Sequence, residues 1–282
     1  MTIRTIPVED IKNAVSQLCI QANHYLSDDM ETALHDAYDE EPAGLGKAVL
    51  GQLVENLAIA KRDTIPICQD TGMAVVFMEI GQDVHFEGGD LLSAVNAGVK
   101  KGYQEGYLRN SVVSDPLIRE NTGDNTPAVL HASIVPGDKV KITVAPKGFG
   151  SENMSVIQML KPADGMEGVK QAVLSAVKQA GPNACPPMFI GVGIGGTFEK
   201  CALLAKHALT RGADHYSPLP HIRKLELELL EEINRLQIGP GGLGGRCTAF
   251  KVNIETYPTH IAGLPVAVNI CCHVNRHASI VI

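Results

Sequence analysis

Hydrophobic positions recur at helical spacing through the first sixty residues of the chain. Between residues 8 and 26, Val8, Ile11 and Val15 begin a series of apolar residues three or four positions apart, and residues 45–60 repeat that series. This spacing places apolar side chains on one face of an α-helix. We therefore predict that the amino-terminal quarter of the chain is helical.

Short β-prone runs alternate with further helical patterns in the remainder of the sequence. We expect strands near residues 73–80, 128–135, 139–146, 187–193 and 264–270, and helices near 88–106, 164–180, 197–209 and 221–236. The second and third of these strands are separated by "PGDK", which predicts a hairpin. The imperfect alternation favours an α/β (mixed α+β) fold in which a mixed sheet is flanked by helices.

Composition and charge restrict the classes of function. The 282 residues are 45% apolar and carry a formal net charge of −7 without a dense run of Lys and Arg, which argues against a nucleic-acid surface. No apolar stretch approaches the length that spans a bilayer, and the first ten residues lack the apolar core of a signal peptide. We expect a cytoplasmic protein that acts on a small molecule.

The seven cysteines are the residues that say most about a possible metal site. An odd number of cysteines without an export signal favours reduced thiols, which are either small buried side chains or ligands of soft metals. Cys68 and Cys185 have loop-like surroundings, and the "CC" pair at Cys271 and Cys272 follows a strand, so only one thiol of that pair is expected to be a ligand. Their spacing alone does not identify a metal site, in contrast to paired CxxC motifs.

Four ordered motifs carry a resemblance to a known family. "ICQDTG", "KGFGSENMS", "GPNACPPMFIGVGIGGTFEKCALLAKHAL" and "AVNICCHVNRHA" resemble the alpha subunit of two-subunit, iron-sulfur-dependent class I fumarate hydratases. The resemblance covers nearly the whole chain and implies one catalytic alpha-subunit domain over residues 1–282. It further implies a four-iron, four-sulfur cluster held by Cys68, Cys185 and Cys272. Cys272 is preferred to Cys271 because family sequences usually keep the cysteine directly before the "H..R" segment.

The same resemblance implies roles for five other residues. Asp70 exchanges a proton with the substrate, and His260 bonds a substrate oxygen as the second catalytic residue. Gln69, Arg109 and Gly150 are implied to bind the substrate, Arg109 by pairing with a carboxylate and Gly150 through a nearby backbone amide. Taken alone, an Asp-x-Gly sequence more often caps a turn than serves catalysis.

The implied chemistry is Lewis-acid catalysis on a small dicarboxylate. Three thiolates for four irons leave one iron without a protein ligand, and that position polarises the bond to the departing hydroxyl group. Family members that are one long chain continue into a second domain, whereas this sequence stops at Ile282. We therefore expect a separate beta subunit, an active site at the junction of the two subunits, and an α2β2 assembly.

Three alternative functions stay open. The related tartrate dehydratase alpha subunits share the cysteine motifs but differ in the loop matching "KGFGSENMS", which favours fumarate and malate here. "GVGIGG" at residues 191–196, with Asp214, matches a dinucleotide-binding pattern, although glycines there also permit close strand-to-helix packing. A zinc-stabilised scaffold would use the three thiolates and His273.

Overall fold

The chain folds into two compact units, each assembled from separated stretches of sequence. The first unit comprises Met1–Ser27, Leu57–Phe149 and Arg276–Ile282, and the second comprises Asp28–Asn56 and Gly150–Asn275. This computed structural model describes residues 3–282. Within those residues, no helix has the length and apolar character needed to cross a membrane.

From residue 3 onward, the first unit contains two helices and six strands whose complete bounds lie within it. Asp90 caps the second helix by accepting a hydrogen bond from the Ser93 amide at 2.7 Å. The elements are β1 (Arg4–Pro7), α1 (Val8–His24), β2 (Met73–Gly81), β3 (Val84–Glu87), α4 (Leu91–Glu105), β4 (Val129–Val135), β5 (Val140–Lys147) and β10 (Ala278–Val281), while α3 (Leu45–Asp63) includes residues of both units.

The principal sheet of the first unit has the strand order β10-β5-β2-β4. Strand β2 pairs parallel to β4 and antiparallel to β5, so the hairpin predicted for β4 and β5 is wrong. The end of β2 lies between them, with the Gly81 amide bonded to the Lys139 carbonyl at 2.8 Å and the Gln82 amide to the Val135 carbonyl at 2.8 Å. Helices α1 and α4 contribute apolar faces to the core formed with this sheet.

The second unit is a four-stranded sheet with helices on both faces. Its strand order is β6-β9-β7-β8, with β8 parallel and β9 antiparallel to β7. Its elements are α2 (Asp28–Glu40), β6 (Val156–Leu160), α6 (Gly165–Ala180), β7 (Met188–Gly195), α7 (Phe198–Ala208), α8 (Pro220–Asn234), β8 (Ala249–Tyr257) and β9 (Leu264–Cys271), and α5 (Phe149–Glu152) includes residues of both units.

Alternation along β7 explains the glycine-rich sequence. Met188, Ile190 and Val192 pack into the core with α6 and α8. Because successive side chains of a strand point to opposite faces, the glycines between them face the other side of the sheet. On the other face, a Cβ atom at Gly193 would lie 2.0 Å from the Cys201 carbonyl oxygen of α7. The glycines therefore allow α7 to pack closely on β7, which is the alternative to dinucleotide binding that the sequence left open.

Most predicted elements are confirmed within a few residues, including the helical amino-terminal region and the mixed α/β class. Strands β1, β3, β6, β8 and β10 were not predicted. Three of them, β1, β3 and β10, are four residues long. In four residues, the alternation of apolar and polar positions that identifies a strand cannot be told apart from the flanking sequence.

Candidate active site

In the first unit, buried polar groups fix the segment that carries Cys68, Gln69 and Asp70. The Ile67 amide donates to the Asn23 carbonyl at 3.0 Å. The Tyr103 hydroxyl donates to the Thr71 and Gly72 carbonyls, each at 2.9 Å. Cys68 and Asp70 are half-buried and Gln69 is exposed. The segment is therefore held by its backbone, and the side chains of Cys68, Gln69 and Asp70 lie at or near the surface of the unit.

Asp70 accepts hydrogen bonds through both carboxylate oxygens. Oδ1 accepts from the Gly72 amide at 3.0 Å, and Oδ2 accepts from the Phe149 amide at 2.9 Å. The first contact is the turn-capping bond expected of an Asp-x-Gly sequence. The second places the carboxylate beside the start of the "GFGSEN" loop. A Cβ atom at Gly148 would lie 2.9 Å from Oδ2, so the glycine keeps that side of the carboxylate uncrowded.

Arg109 is joined to the same segment through its backbone. Its amide donates to Thr71 Oγ1 at 2.9 Å, and its carbonyl accepts from that hydroxyl at 3.2 Å. The residue is exposed, so the guanidinium is accessible from solvent. Gly150 is also exposed, and a Cβ atom built there meets nothing within 4 Å. The first unit thus brings Arg109 next to the segment of Asp70.

In the second unit, Cys185 and Cys272 lie at one end of the sheet. Cys185 lies just before β7, and Cys272 directly follows β9, whose last residue pairs with Phe189 of β7. His273 joins the two segments, since its amide donates to the Cys185 carbonyl at 3.3 Å and its ring Nδ1 lies 3.0 Å from the same oxygen. The Cys185 residue is exposed and the Cys272 residue is half-buried.

The other four cysteines differ from Cys68, Cys185 and Cys272. Cys19, Cys201 and Cys271 are buried within regular elements. Burial raises the pKa of the Cys19 and Cys247 thiols to about 12, which disfavours the thiolate that a metal requires. Cys272 lies outside β9 and is partly accessible, whereas Cys271 is 4% exposed. This difference supports Cys272 as the ligand of the pair.

Comparison with known proteins decides the family. The sequence model of the family described as "Fumarate hydratase (Fumerase)" matches residues 12–281. The chain is 42% identical over 274 residues to the "Putative L(+)-tartrate dehydratase subunit alpha" of Methanocaldococcus jannaschii, covering 95% of this chain and 96% of the relative. It is 30% identical over 278 residues to the "L(+)-tartrate dehydratase subunit alpha" of Escherichia coli strain K12, covering 98% and 91%. The chain belongs to the fumarate hydratase family.

Membership of the fumarate hydratase family confirms the resemblance drawn from the four motifs and makes the chain a hydro-lyase. Within residues 3–282, no three or more His, Cys, Asp and Glu side chains are grouped so that they could hold a metal ion. Cys68 belongs to the first unit, and Cys185 and Cys272 belong to the second. The chemistry of this donor set fits an iron-sulfur cluster, because all three residues are cysteines that are not fully buried and lie outside helices and strands.

The sequence of this fumarate hydratase family member did not indicate the role of one further residue, Arg276. It is 5% exposed, its Nη2 donates to the Asp70 carbonyl, and its Nε donates to the Pro146 carbonyl at 3.4 Å. The guanidinium therefore fixes the backbone of Asp70. The only signal in the sequence was the "H..R" spacing after Cys272, since arginine is otherwise expected at the surface.

The structure does not bring His260 together with the two cysteines of its own unit. Thr259 bonds to the Gly196 carbonyl at 2.8 Å, which places this loop beside the carboxyl end of β7. Cys185 precedes the amino end of β7, and eight residues of strand span about 23 Å. His260 is exposed, and its Nδ1 accepts from the Ala262 amide at 3.2 Å. Within the second unit, His260 therefore lies at the opposite end of β7 from Cys185.

Proposed function

We propose that this chain is the alpha subunit of a fumarate hydratase, which interconverts fumarate and L-malate. The observation that carries the proposal is the sorting of the cysteines: the three that match the family motifs are accessible thiols in loops, and the others are buried or have a raised pKa. The family model that spans nearly the whole chain supports the same reaction.

In this proposal Cys68, Cys185 and Cys272 hold a four-iron, four-sulfur cluster. When bound, that group supplies Lewis-acid polarisation of the bond between carbon and the departing hydroxyl. The residues of the chain supply binding and proton transfer. Arg109 and Gly150 are both exposed residues, and in this proposal the Arg109 guanidinium pairs with a substrate carboxylate while the Gly150 amide donates to a carboxylate oxygen.

Asp70 is the acid-base group that this chain contributes. Its carboxylate is held by two backbone amides, which fix the position of the oxygens at which a proton is exchanged. Gln69 is exposed directly beside it and donates to the substrate hydroxyl. Because His260 lies at the far end of the sheet, its predicted substrate contact is assigned to His260 of a second copy of the chain in an α2β2 assembly.

A separate beta subunit completes the proposed enzyme. The relatives are named as alpha subunits, which supports a partner for this chain. We place the complex in the cytoplasm, because an odd number of cysteines favours reduced thiols and reducing compartments keep thiols in that state. The alpha chain alone is expected to show no hydratase turnover.

L-Tartrate is the second candidate substrate, favoured by the names of the relatives at 42% and 30% identity. Tartrate carries one more hydroxyl group than malate, so the distinction depends on contacts to a single polar group. Anaerobic co-expression with the beta subunit, followed by dehydration assays on L-malate and L-tartrate, tests both candidates. A kcat/KM for malate at least about 100-fold above that for tartrate supports the proposal, and the reverse order assigns tartrate.

A further inference from the structure

The backbone around Cys185 has a conformation that its neighbours must hold. Cys185 has φ 52° and ψ 62°, in the left-handed region that residues with a side chain rarely adopt. Its amide donates to the Pro182 carbonyl at 3.1 Å. Because this conformation is unfavourable in isolation, contacts from outside the loop decide whether the thiol stays in place.

His273 makes the first of these contacts. Its backbone amide and its ring Nδ1 both approach the Cys185 carbonyl oxygen, at 3.3 and 3.0 Å. A carbonyl only accepts hydrogen bonds, so the ring carries its proton on Nδ1. That nitrogen has no lone pair to offer a metal in this arrangement. The contact therefore ties His273 to the Cys185 loop through Nδ1, and the zinc-ligand role that the sequence left open would fall to Nε2.

The glycine-rich segment "GPGGLGG" makes the second contact. The Gly241 amide donates to the Pro186 carbonyl at 2.9 Å, on the residue directly after Cys185. Gly242 has φ +74°, and a Cβ atom there would lie 2.3 Å from Pro182 Cβ. The absence of a side chain at Gly242 thus permits the approach that the Gly241 bond requires.

We propose that His273 and Gly241 are positioning residues, which fix the carbonyl groups of Cys185 and Pro186 so that the exposed Cys185 thiol is held for the cluster. The inference rests on the function proposed above and adds residues that touch neither substrate nor iron. Hydrogen bonds that orient a metal-binding residue commonly alter metal affinity by about 10- to 100-fold when they are lost.

The histidine test uses His273→Asn, His273→Gln and His273→Ala in the anaerobic alpha-beta complex. Asparagine places its amide nitrogen where Nδ1 stands, whereas glutamine imitates Nε2. We expect His273→Asn to keep the iron content and the electron paramagnetic resonance spectrum of the wild type. His273→Gln and His273→Ala should lose iron in air about tenfold faster. The proposal would be overturned if His273→Ala lost iron at the wild-type rate. It would also be overturned if His273→Gln kept the wild-type rate and His273→Asn did not.

The glycine test uses a matched pair, Gly242→Ala and Gly244→Ala. Both positions have positive φ, at +74° and +81°, but a Cβ atom at Gly244 meets nothing within 4 Å. Both variants carry the same kind of backbone strain, and only Gly242→Ala displaces the Cys185 loop. Gly242→Ala should therefore accelerate iron loss more than Gly244→Ala does. Equal rates of loss in the two variants would contradict the proposal.

Amide hydrogen exchange separates this proposal from the function it rests on. In the metal-free complex, the Gly241 and Cys185 amides should exchange about fivefold faster in His273→Ala and Gly242→Ala, and at the wild-type rate in His273→Asn. Unchanged exchange in all variants would show that the contacts do not hold the loop. If the purified wild-type complex contained no iron and the variants still showed these exchange differences, the proposed cluster would be contradicted and the loop contacts would stand.

Discussion

The Phe149 amide donates a hydrogen bond to Asp70 Oδ2 at 2.9 Å, although 79 positions separate the two residues in the chain. The other carboxylate oxygen accepts from the Gly72 amide at 3.0 Å. Two backbone donors therefore fix both oxygens of the residue proposed to exchange a proton. This geometry makes Asp70 the first residue to test.

Asp70→Asn should lower kcat by about 100- to 10,000-fold, because the amide cannot exchange the proton that the carboxylate does. Steady-state assay of the anaerobic alpha-beta complex measures the effect. Asp115→Ala is the control, since Asp115 Oδ1 also accepts from two backbone amides, both at 2.8 Å, in an exposed loop. The control should retain kcat, and an Asp70→Asn enzyme within twofold of the wild type would exclude the proposed role.

Gly193→Ala should destabilise the second unit, because its Cβ atom would lie 2.0 Å from the Cys201 carbonyl oxygen and α7 would have to move from β7. Overpacking of this kind typically costs about 1 to 3 kcal/mol. Gly150→Ala, where the added atom meets nothing within 4 Å, should change stability by less than about 0.5 kcal/mol. Thermal unfolding of both variants measures the difference, and equal midpoints would disprove the packing explanation of "GVGIGG".

Lys251→Met should change how stability depends on pH. Lys251 is 2% exposed, its Nζ lies 3.1 Å from the Tyr216 ring centroid, and burial lowers its pKa from 10.5 to about 8. Between those values the folded protein binds fewer protons than the unfolded protein, so this residue makes the free energy of unfolding rise with pH. Below about pH 8 Lys251 is charged, and burial of that charge lowers the free energy of unfolding.

We therefore expect Lys251→Met to be more stable than the wild type at pH 7 and to lose that advantage by pH 10. Melting temperatures at pH 7 and pH 10 measure this. Lys170→Met is the opposite control, because ion pairs with Glu228 and Glu232 raise the pKa of Lys170. It should be less stable than the wild type at pH 7. If Lys251→Met raised the melting temperature equally at pH 7 and pH 10, the lowered pKa of Lys251 would be contradicted.

His260 provides a test of assembly. If His260 of one alpha chain acts in the site of another, mixing inactive His260→Ala and inactive Cys272→Ser chains restores one complete site in each mixed pair. Random pairing should then recover about a quarter of wild-type activity. Co-expression with differently tagged chains measures the recovery. No recovery in isolated mixed assemblies would contradict the action of His260 in the site of a second alpha chain.

The sequence was most informative where periodicity is strong and least informative where distant segments meet. Helices α1, α6 and α8 were predicted because their apolar residues recur on one face. The pairing of β4 and β5 was predicted wrongly, because a turn sequence does not reveal that β2 lies between them. Strand neighbours depend on tertiary packing, which local patterns do not contain.

The candidate site shows the same division. The motifs identified Cys68, Asp70 and Cys185 through resemblance, but no local pattern indicated that the Asp70 backbone is held by Arg276 or the Cys185 loop by His273. These contacts join positions 206 and 88 residues apart. The two compact units were likewise hidden, because each is assembled from stretches that alternate along the chain.

The iron content of four cysteine variants tests the central claim most directly. Anaerobically purified alpha-beta complex should contain about four irons per alpha chain and absorb broadly near about 400 nm. Cys68→Ser, Cys185→Ser and Cys272→Ser should each lose the cluster, while Cys271→Ser, which alters a buried thiol 4% exposed, should retain it. Full iron in any of the first three variants, or stoichiometric zinc in colourless wild-type protein, would contradict the account.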